Sequence, residues 1–136
     1  MATISHFEEI ESWKTARQLT NLIYQVSGLG AFSKDFGLRD QIRRASVSIM
    51  SNIAEGFESR TQAQFINYLG IAKGSAAEVR SQLYIAGDQS YITTEQFNQM
   101  LDLSDKAVRQ LASFIHYLES NPQSRRVREE SPEYIV

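Results

Sequence analysis

The sequence contains no cysteine and has only two histidines and two prolines. Without cysteine, disulfide bonds and thiolate chemistry are excluded. His6 and His116 are far apart in the chain, and two isolated imidazoles are a poor basis for a zinc site. Gly-x-x-x-x-Gly-Lys phosphate loops, Gly-x-Ser-x-Gly nucleophile turns and the Glu-x-x-His motifs of di-iron bundles are also missing. The sequence therefore predicts no cofactor, no metal and no small-molecule substrate.

The sequence also lacks a long apolar run and an excess of charge of one sign. No stretch of about 18 apolar residues is present, and the acidic N-terminal segment MATISHFEEIESWK lacks the apolar core of a signal peptide. These features predict a cytoplasmic protein that does not enter a membrane. The 14 Lys and Arg residues are balanced by 16 Asp and Glu residues, which gives a net charge of −2. Such a balance is not typical of a dedicated nucleic-acid-binding protein.

Long helices are favoured in the segment that precedes Pro122, because this segment lacks proline and shows little strand-like alternation. Turn signals at Gly28 and Gly30, in EGFESRT and in GDQSYITT divide it into four parts. Helices are predicted at about 9–27, 36–57, 62–89 and 94–120. Two of the predicted starts carry capping-box patterns, namely Thr61 with Gln64 and Thr93 with Gln96.

Short connections make neighbouring helices antiparallel. The predicted fold is therefore all-α, an antiparallel up-down four-helix bundle that occupies residues 1–121. Residues 122–136 are polar and contain both prolines, so they are predicted to form a C-terminal tail.

Apolar residues recur at spacings of three and four along each predicted helix, which places them on one face. The predicted core positions are Ile10, Trp13, Ala16, Leu19, Ile23 and Val26 in the first helix, Leu38, Ile42, Ala45, Ile49 and Ile53 in the second, Phe65, Leu69, Ala72, Ala76, Val79, Leu83 and Ala86 in the third, and Phe97, Leu101, Ser104, Val108, Leu111, Ile115 and Leu118 in the fourth. Each stripe must be buried against another helix to offset the entropy lost in ordering it.

The second and third helices carry more apolar or small surface than one core requires. On the second helix, Val47, Met50 and Ala54 form a second line, with Phe57 at its edge. On the third, Gly70, Gly74, Ala77 and Ser81 align away from the core stripe. Each interior glycine costs about 1 kcal/mol relative to alanine, which indicates a compensating close contact inside the bundle or between subunits. A homo-oligomer is favoured, and a monomer with an apolar surface is the alternative.

Five polar residues lie among these positions, namely Arg43, Arg44, Asn52, Glu55 and Glu78. Ion pairing or hydrogen bonding between subunits is the favoured use, because a buried guanidinium needs a carboxylate partner. Solvated surface charge and contact with nucleic-acid phosphates are the alternatives.

The order of several motifs resembles a known protein family. These motifs are Trp13 with Ala16, then QIRRASVSIMSNIAEG at 41–56, then Phe65, Leu69 and IAKGSAAEV at 71–79. Over about residues 7–120 the chain resembles the four-helix-bundle proteins encoded in intervening sequences of bacterial 23S rRNA genes. Relatives of this family include the accessory variability determinant of diversity-generating retroelements.

The resemblance implies a ring-shaped homopentamer with a central channel. The retroelement relatives bind a reverse transcriptase and nucleic acid through a basic surface, whereas this chain has a net charge of −2. The resemblance implies no established enzymatic activity for the members encoded in ribosomal RNA genes.

Two functions are predicted as rivals. The first is a non-enzymatic oligomeric scaffold or adaptor that contacts RNA or a nucleic-acid enzyme through repeated weak basic sites. Its candidate contacts are Lys14, Arg17, Arg39, Arg43, Arg44, Arg60, Arg125, Arg126 and Arg128. The second is a metal-independent helical ribonuclease that uses Arg109 and His116, seven residues apart on one helix face.

Overall fold

The computed structural model describes residues 3–122, and these residues form four long α-helices and no β-strand. The helices are α1 (Glu11–Ser27), α2 (Phe36–Glu58), α3 (Gln62–Asp88) and α4 (Thr94–Ser120). Single 3-10 turns precede α1 and α2 at Phe7–Glu9 and Phe32–Lys34. The predicted all-α class is confirmed, and each helix end lies within two residues of the predicted position. Beyond Pro122, the predicted tail lies outside the described residues.

The four helices are arranged around one core in the order of the chain. Helices α1 and α3 each pack against both α2 and α4. Cross-helix contacts show that α2 and α3 are antiparallel, because Ser48 lies beside Ser75 and Gly56 lies beside Tyr68. No helix between residues 3 and 122 is sufficiently long and apolar to cross a bilayer.

Both predicted capping boxes are present. The backbone N–H of Gln64 donates to Thr61 Oγ1 at 3.1 Å, and that of Gln96 donates to Thr93 Oγ1 at 3.0 Å. In each case the glutamine side chain accepts from the backbone N–H of the threonine, which satisfies a second donor at the helix start.

The end of α3 is a Schellman motif built on a serine. Ser90 has φ of +60°, while its N–H donates to Gly87 O at 3.0 Å and the N–H of Tyr91 donates to Ala86 O at 2.9 Å. A left-handed residue after a helix is usually glycine, since a Cβ atom is disfavoured there. The serine therefore completes the turn at a local cost.

A hydrogen bond between Tyr91 and Asp35 connects the turn after α3 to the start of α2. Asp35 Oδ1 accepts from the backbone N–H of Leu38 at 3.1 Å and thereby caps α2. Its other oxygen accepts from the Tyr91 hydroxyl at 3.0 Å. Tyr91 also stacks on Phe32, with ring centroids 5.2 Å apart. The hydrogen bond to Asp35 raises the pKa of Tyr91, with smaller contributions from desolvation and from the Asp35 charge.

All predicted core residues of α2 and α3 are buried. On α4 the predicted stripe is displaced from the actual buried face. Met100 and Ala107 are buried although they were not predicted, whereas Leu101, Val108 and Ile115 are only half-buried. Ser104 and Leu111 lie in the buried face of α4, and apolar side chains flank them on both sides around the helix. The spacing of apolar residues therefore did not determine where the centre of the buried face lies.

On α1 the predicted stripe is also only partly right. Trp13 and Val26 are half-buried, and Ile10 is buried but precedes the helix. Polar residues complete the buried face of α1, namely Ser12, Thr15, Thr20 and Ser27.

Candidate interaction surfaces on helices α2 and α3

The outer side of α3 carries exposed small residues that have no packing partner in the described chain. Gly70, Gly74, Ala77 and Ser81 are all exposed. A Cβ atom built at Gly70 or Gly74 meets no heavy atom within 4 Å. A contact inside the bundle therefore does not explain these two glycines.

Two isoleucines widen this outer side of α3. Ile71 and Ile85 each keep 46% of their surface exposed. We refer to Gly70, Ile71, Gly74, Ala77, Ser81 and Ile85 together as the α3 surface.

The second line of apolar residues on α2 is only partly exposed to solvent. Val47 is 40% exposed and Ala54 is half-buried, while Met50 is half-buried and packs against the core. Val47 also lines a shallow depression together with Tyr24, Arg44 and Ser51. We refer to Tyr24, Arg44, Val47, Ser51 and Ala54 together as the α2 surface.

Phe57 corrects the predicted interface. It is 2% exposed, and its ring meets that of Phe65 edge-on at a centroid distance of 6.1 Å. The last turn of α2 approaches α3 closely at Gly56, where an added Cβ would lie 2.7 Å from Tyr68 Cβ. This close approach encloses Phe57 within the chain, so it is a core residue rather than an interface residue.

Arg43 is used inside the chain, contrary to its predicted role between subunits. Its Nε donates to Ser27 Oγ at 2.8 Å, and its Nη2 donates to the carbonyl of Tyr24 at 3.4 Å. The guanidinium also lies over the Tyr24 ring, 4.6 Å from its centroid. These contacts fasten α2 to the last turn of α1. The sequence did not indicate this role, because no spacing rule relates Arg43 to Ser27 across two helices.

The other polar candidates divide into one engaged residue and three unpartnered ones. Asn52 donates through Nδ2 to Ser48 O at 2.8 Å and to Ser48 Oγ at 2.9 Å, so it is held within α2. Arg44, Glu55 and Glu78 are exposed, and none forms an ion pair with a residue in 3–122. Arg44 and Glu78 thus present opposite charges to the surroundings on neighbouring helices.

The predicted basic contacts that lie within residues 3–122 do not form one patch. Lys14 pairs with Glu11 at 3.0 Å, and Arg39 pairs with Asp40 at 3.0 Å while also lying over the Phe36 ring. Because α1 and α2 are antiparallel, Arg39 is at the opposite end of the bundle from Lys14.

The remaining basic candidates are less engaged or lie outside the description. Arg17 lies 5.8 Å from the centroid of the Trp13 ring, and Arg60 is exposed. Arg125, Arg126 and Arg128 lie outside the described residues.

Arg109 and His116 are both exposed on α4. Their positions are two turns apart, an axial separation of about 10 Å. Neither side chain forms a hydrogen bond or ion pair with a residue in the described part of the chain. The geometry therefore does not assemble them into a joint site.

The sequence of this bundle matches a known protein family. A family profile described as "23S rRNA-intervening sequence protein" matches residues 8–113, from the turn before α1 into α4. The chain belongs to the 23S rRNA-intervening sequence protein family. The resemblance in QIRRASVSIMSNIAEG and the neighbouring motifs is therefore confirmed.

A crystal structure supports the same placement. It is that of a protein with unknown function from the S23 ribosomal protein family of Bacteroides thetaiotaomicron VPI-5482. The two chains are 28% identical and superpose with a TM-score of 0.71, over 77% of this chain and 95% of the other. No curated protein matches the sequence. The α2 and α3 surfaces lie within the segment that the 23S rRNA-intervening sequence profile covers.

Proposed function

We propose that this 23S rRNA-intervening sequence protein is a non-enzymatic homo-oligomeric scaffold whose subunits meet through the α2 and α3 surfaces. The observation that carries the proposal is the open space around Gly70 and Gly74. Each glycine costs about 1 kcal/mol in a helix interior, and no contact in the described chain explains that cost. Close approach of another backbone is a use that only very small residues allow.

Two different surfaces on one subunit favour a ring. A closed ring larger than a dimer needs a heterologous interface, in which one surface of each copy meets a different surface of the next. Within residues 3–122, Arg44 on the α2 surface and Glu78 beside the α3 surface both lack an ion-pair partner. Pairing Arg44 of one copy with Glu78 of the next would compensate both charges. The family resemblance supports five subunits.

We further propose structured RNA as the partner of this ring. One subunit offers only scattered cations outside the proposed interface, such as Arg60, which is exposed and has no ion-pair partner in 3–122. Repetition of a weak site around a ring can raise avidity about 10²–10⁴-fold without any stronger single contact. The description of the family as related to a 23S rRNA intervening sequence supports RNA as the class of partner.

Light scattering coupled to size exclusion tests the assembly. We expect the full chain to have a mass close to five times the 15.5 kDa of one subunit. Val47→Asp and Gly74→Arg should lower this mass, because each places a charge where the subunits meet. Matched controls are Gln18→Asp and Gln99→Arg, which make similar changes at exposed positions between α1 and α4. A single-subunit mass for the unmodified chain at micromolar concentration would refute the scaffold.

The ribonuclease alternative remains a prediction that no contact between residues 3 and 122 favours. Cleavage of RNA by the purified chain, lost in His116→Ala, would replace the scaffold by an enzyme.

A further inference from the structure

A groove separates the N-terminal segment from the second half of α4. It has a volume of about 700 Å³, and its walls are mainly apolar. Ile4 and Ile10 form one side, and Phe114 and Tyr117 form the other. This volume is in the range of pockets that hold a ligand or a short peptide segment. None of the α2 or α3 surface residues lines the groove.

Two residues that line this groove each carry a buried polar atom without a partner among the described residues. Ser12 is 2% exposed, and its Oγ has no hydrogen-bond partner. The Oε1 atom of Gln110 is also buried and without a partner. Buried polar groups in folded proteins are normally satisfied, so rotation of either side chain toward an occupant of the groove would supply a hydrogen bond that the described residues do not.

Together these two groups offer one hydrogen-bond donor and one acceptor, as a peptide unit does. Gln110 Oε1 can only accept a hydrogen bond, whereas the Ser12 hydroxyl can donate one. A peptide unit has one N–H donor and one C=O acceptor, and therefore can satisfy both. Apolar side chains on the same segment would fill the space between Ile10 and Phe114.

We propose that the groove binds the C-terminal segment of the same chain, through Tyr134, Ile135 and Val136. Tyr117 lines the groove, and the described residues end five positions later, at Pro122. Residues 123–136 could extend about 46 Å, while the groove runs about 12 Å along α4 from Arg109 to Tyr117. The segment can therefore reach every part of the groove. Covalent attachment gives it a high effective concentration there.

One charge of the segment can complement one charge of the groove, whose lining includes Arg109 as well as Glu9 and Glu11. Arg109 borders the groove, is exposed and has no ion-pair partner in 3–122. Glu133 precedes the apolar Tyr134 directly in the sequence. A carboxylate of the segment that reaches this end of the groove would pair with the guanidinium of Arg109.

Disulfide trapping in the full chain tests the proposal, because the natural sequence contains no cysteine. In the double variant Ser113→Cys with Ile135→Cys, one thiol lies in the groove and the other on the segment. Under oxidised glutathione, we expect an intramolecular disulfide to form at least ten times faster than in Ala112→Cys with Ile135→Cys. Ala112 is exposed and adjacent in sequence but does not line the groove, so it controls for chain reach.

Each outcome of the trapping experiment has a defined meaning. Equal rates for the two pairs would overturn the proposal, because the segment would then only sample the surface. Disulfides that join two copies would also overturn it, because the occupant would then come from a neighbouring subunit.

A second measurement needs no cysteine and therefore guards against misfolded variants. In the natural chain, the amides of 134–136 should exchange hydrogen at least ten times more slowly than in a free peptide of the same sequence. Ser12→Ala should accelerate that exchange, since it removes the hydroxyl proposed to bind the segment. Exchange at the free-peptide rate in the natural chain would overturn the proposal.

Discussion

Ser90 shows how a single residue can carry a measurable backbone cost. Its φ of +60° is left-handed, a conformation that costs a residue with a Cβ atom about 1–2 kcal/mol. Replacing Ser90 by glycine should therefore raise the free energy of unfolding by about 1 kcal/mol, which urea titration can measure. Gln89→Gly is the matched control, since Gln89 has φ of −83° and should lose stability on the same change. A destabilised Ser90→Gly variant would contradict this reading of the turn.

Because of Tyr91, the free energy of unfolding should depend on pH in the alkaline range. The hydrogen bond to Asp35 raises its pKa above the ordinary value of 10.0, so the folded state retains the phenol proton more strongly than the unfolded state. The resulting stabilisation should be complete below pH 10 and should decline as the pH rises through the higher folded pKa.

The comparison of this chain with Tyr91→Phe tests that dependence. The variant cannot donate to Asp35, so its melting temperature should be lower at neutral pH. The difference between the two melting temperatures should shrink above pH 10. Parallel melting curves over the whole alkaline range would show that Tyr91 and Asp35 are not coupled.

At the scale of elements, glycines on two helices serve opposite purposes. Gly56 allows α2 and α3 to approach closely, since a Cβ there would lie 2.7 Å from Tyr68 Cβ. Gly56→Ala should lower the free energy of unfolding by about 1–3 kcal/mol through overpacking. Gly70→Ala, where the methyl group meets no atom within 4 Å, should stabilise the lone subunit by up to about 1 kcal/mol.

Urea unfolding of both alanine variants checks this contrast, at concentrations below those at which subunits associate. The same substitution is made in both cases, so helix propensity cancels and only the surroundings differ. A loss of stability at Gly70 in the lone subunit would reveal an intrachain contact there.

The spacing of apolar residues predicted the four helices because each element repeats its pattern over several turns. On α2 and α3 it also predicted the buried face, since the apolar stripe on each is well separated from the opposite side. On α4 it failed at Met100 and Ala107, because apolar residues border both sides of the stripe. The candidate surfaces were predictable at Val47 and Gly74. The sequence did not reveal the intrachain contacts of Arg43 and Phe57, because these contacts depend on how separate helices pack.

At the scale of the whole molecule, RNA binding by the proposed ring should depend steeply on salt. Each phosphate contact releases counterions, so removal of one contact lowers the steepness of the dependence of log K on log salt by about one. Filter binding of structured RNA across a salt series should show this loss in Arg60→Ala.

Lys106→Ala supplies the matched control for this series. Lys106 is exposed on α4, away from the α2 surface, and its removal changes the subunit charge by the same amount. We expect its salt dependence to equal that of the natural chain. Absence of any binding at low ionic strength would remove RNA as a partner while leaving the mass of the assembly unaffected.

The square arrangement of helices also bears on how the protein folds during synthesis. Helices α1, α2 and α3 pack against their immediate neighbours in sequence, so their contacts close short connections. Among the described residues, the contact between α1 and α4 joins the first helix of the bundle to the last. A nascent chain can thus pair its first three helices while α4 is still inside the ribosome. Emergence of α4 then completes the core.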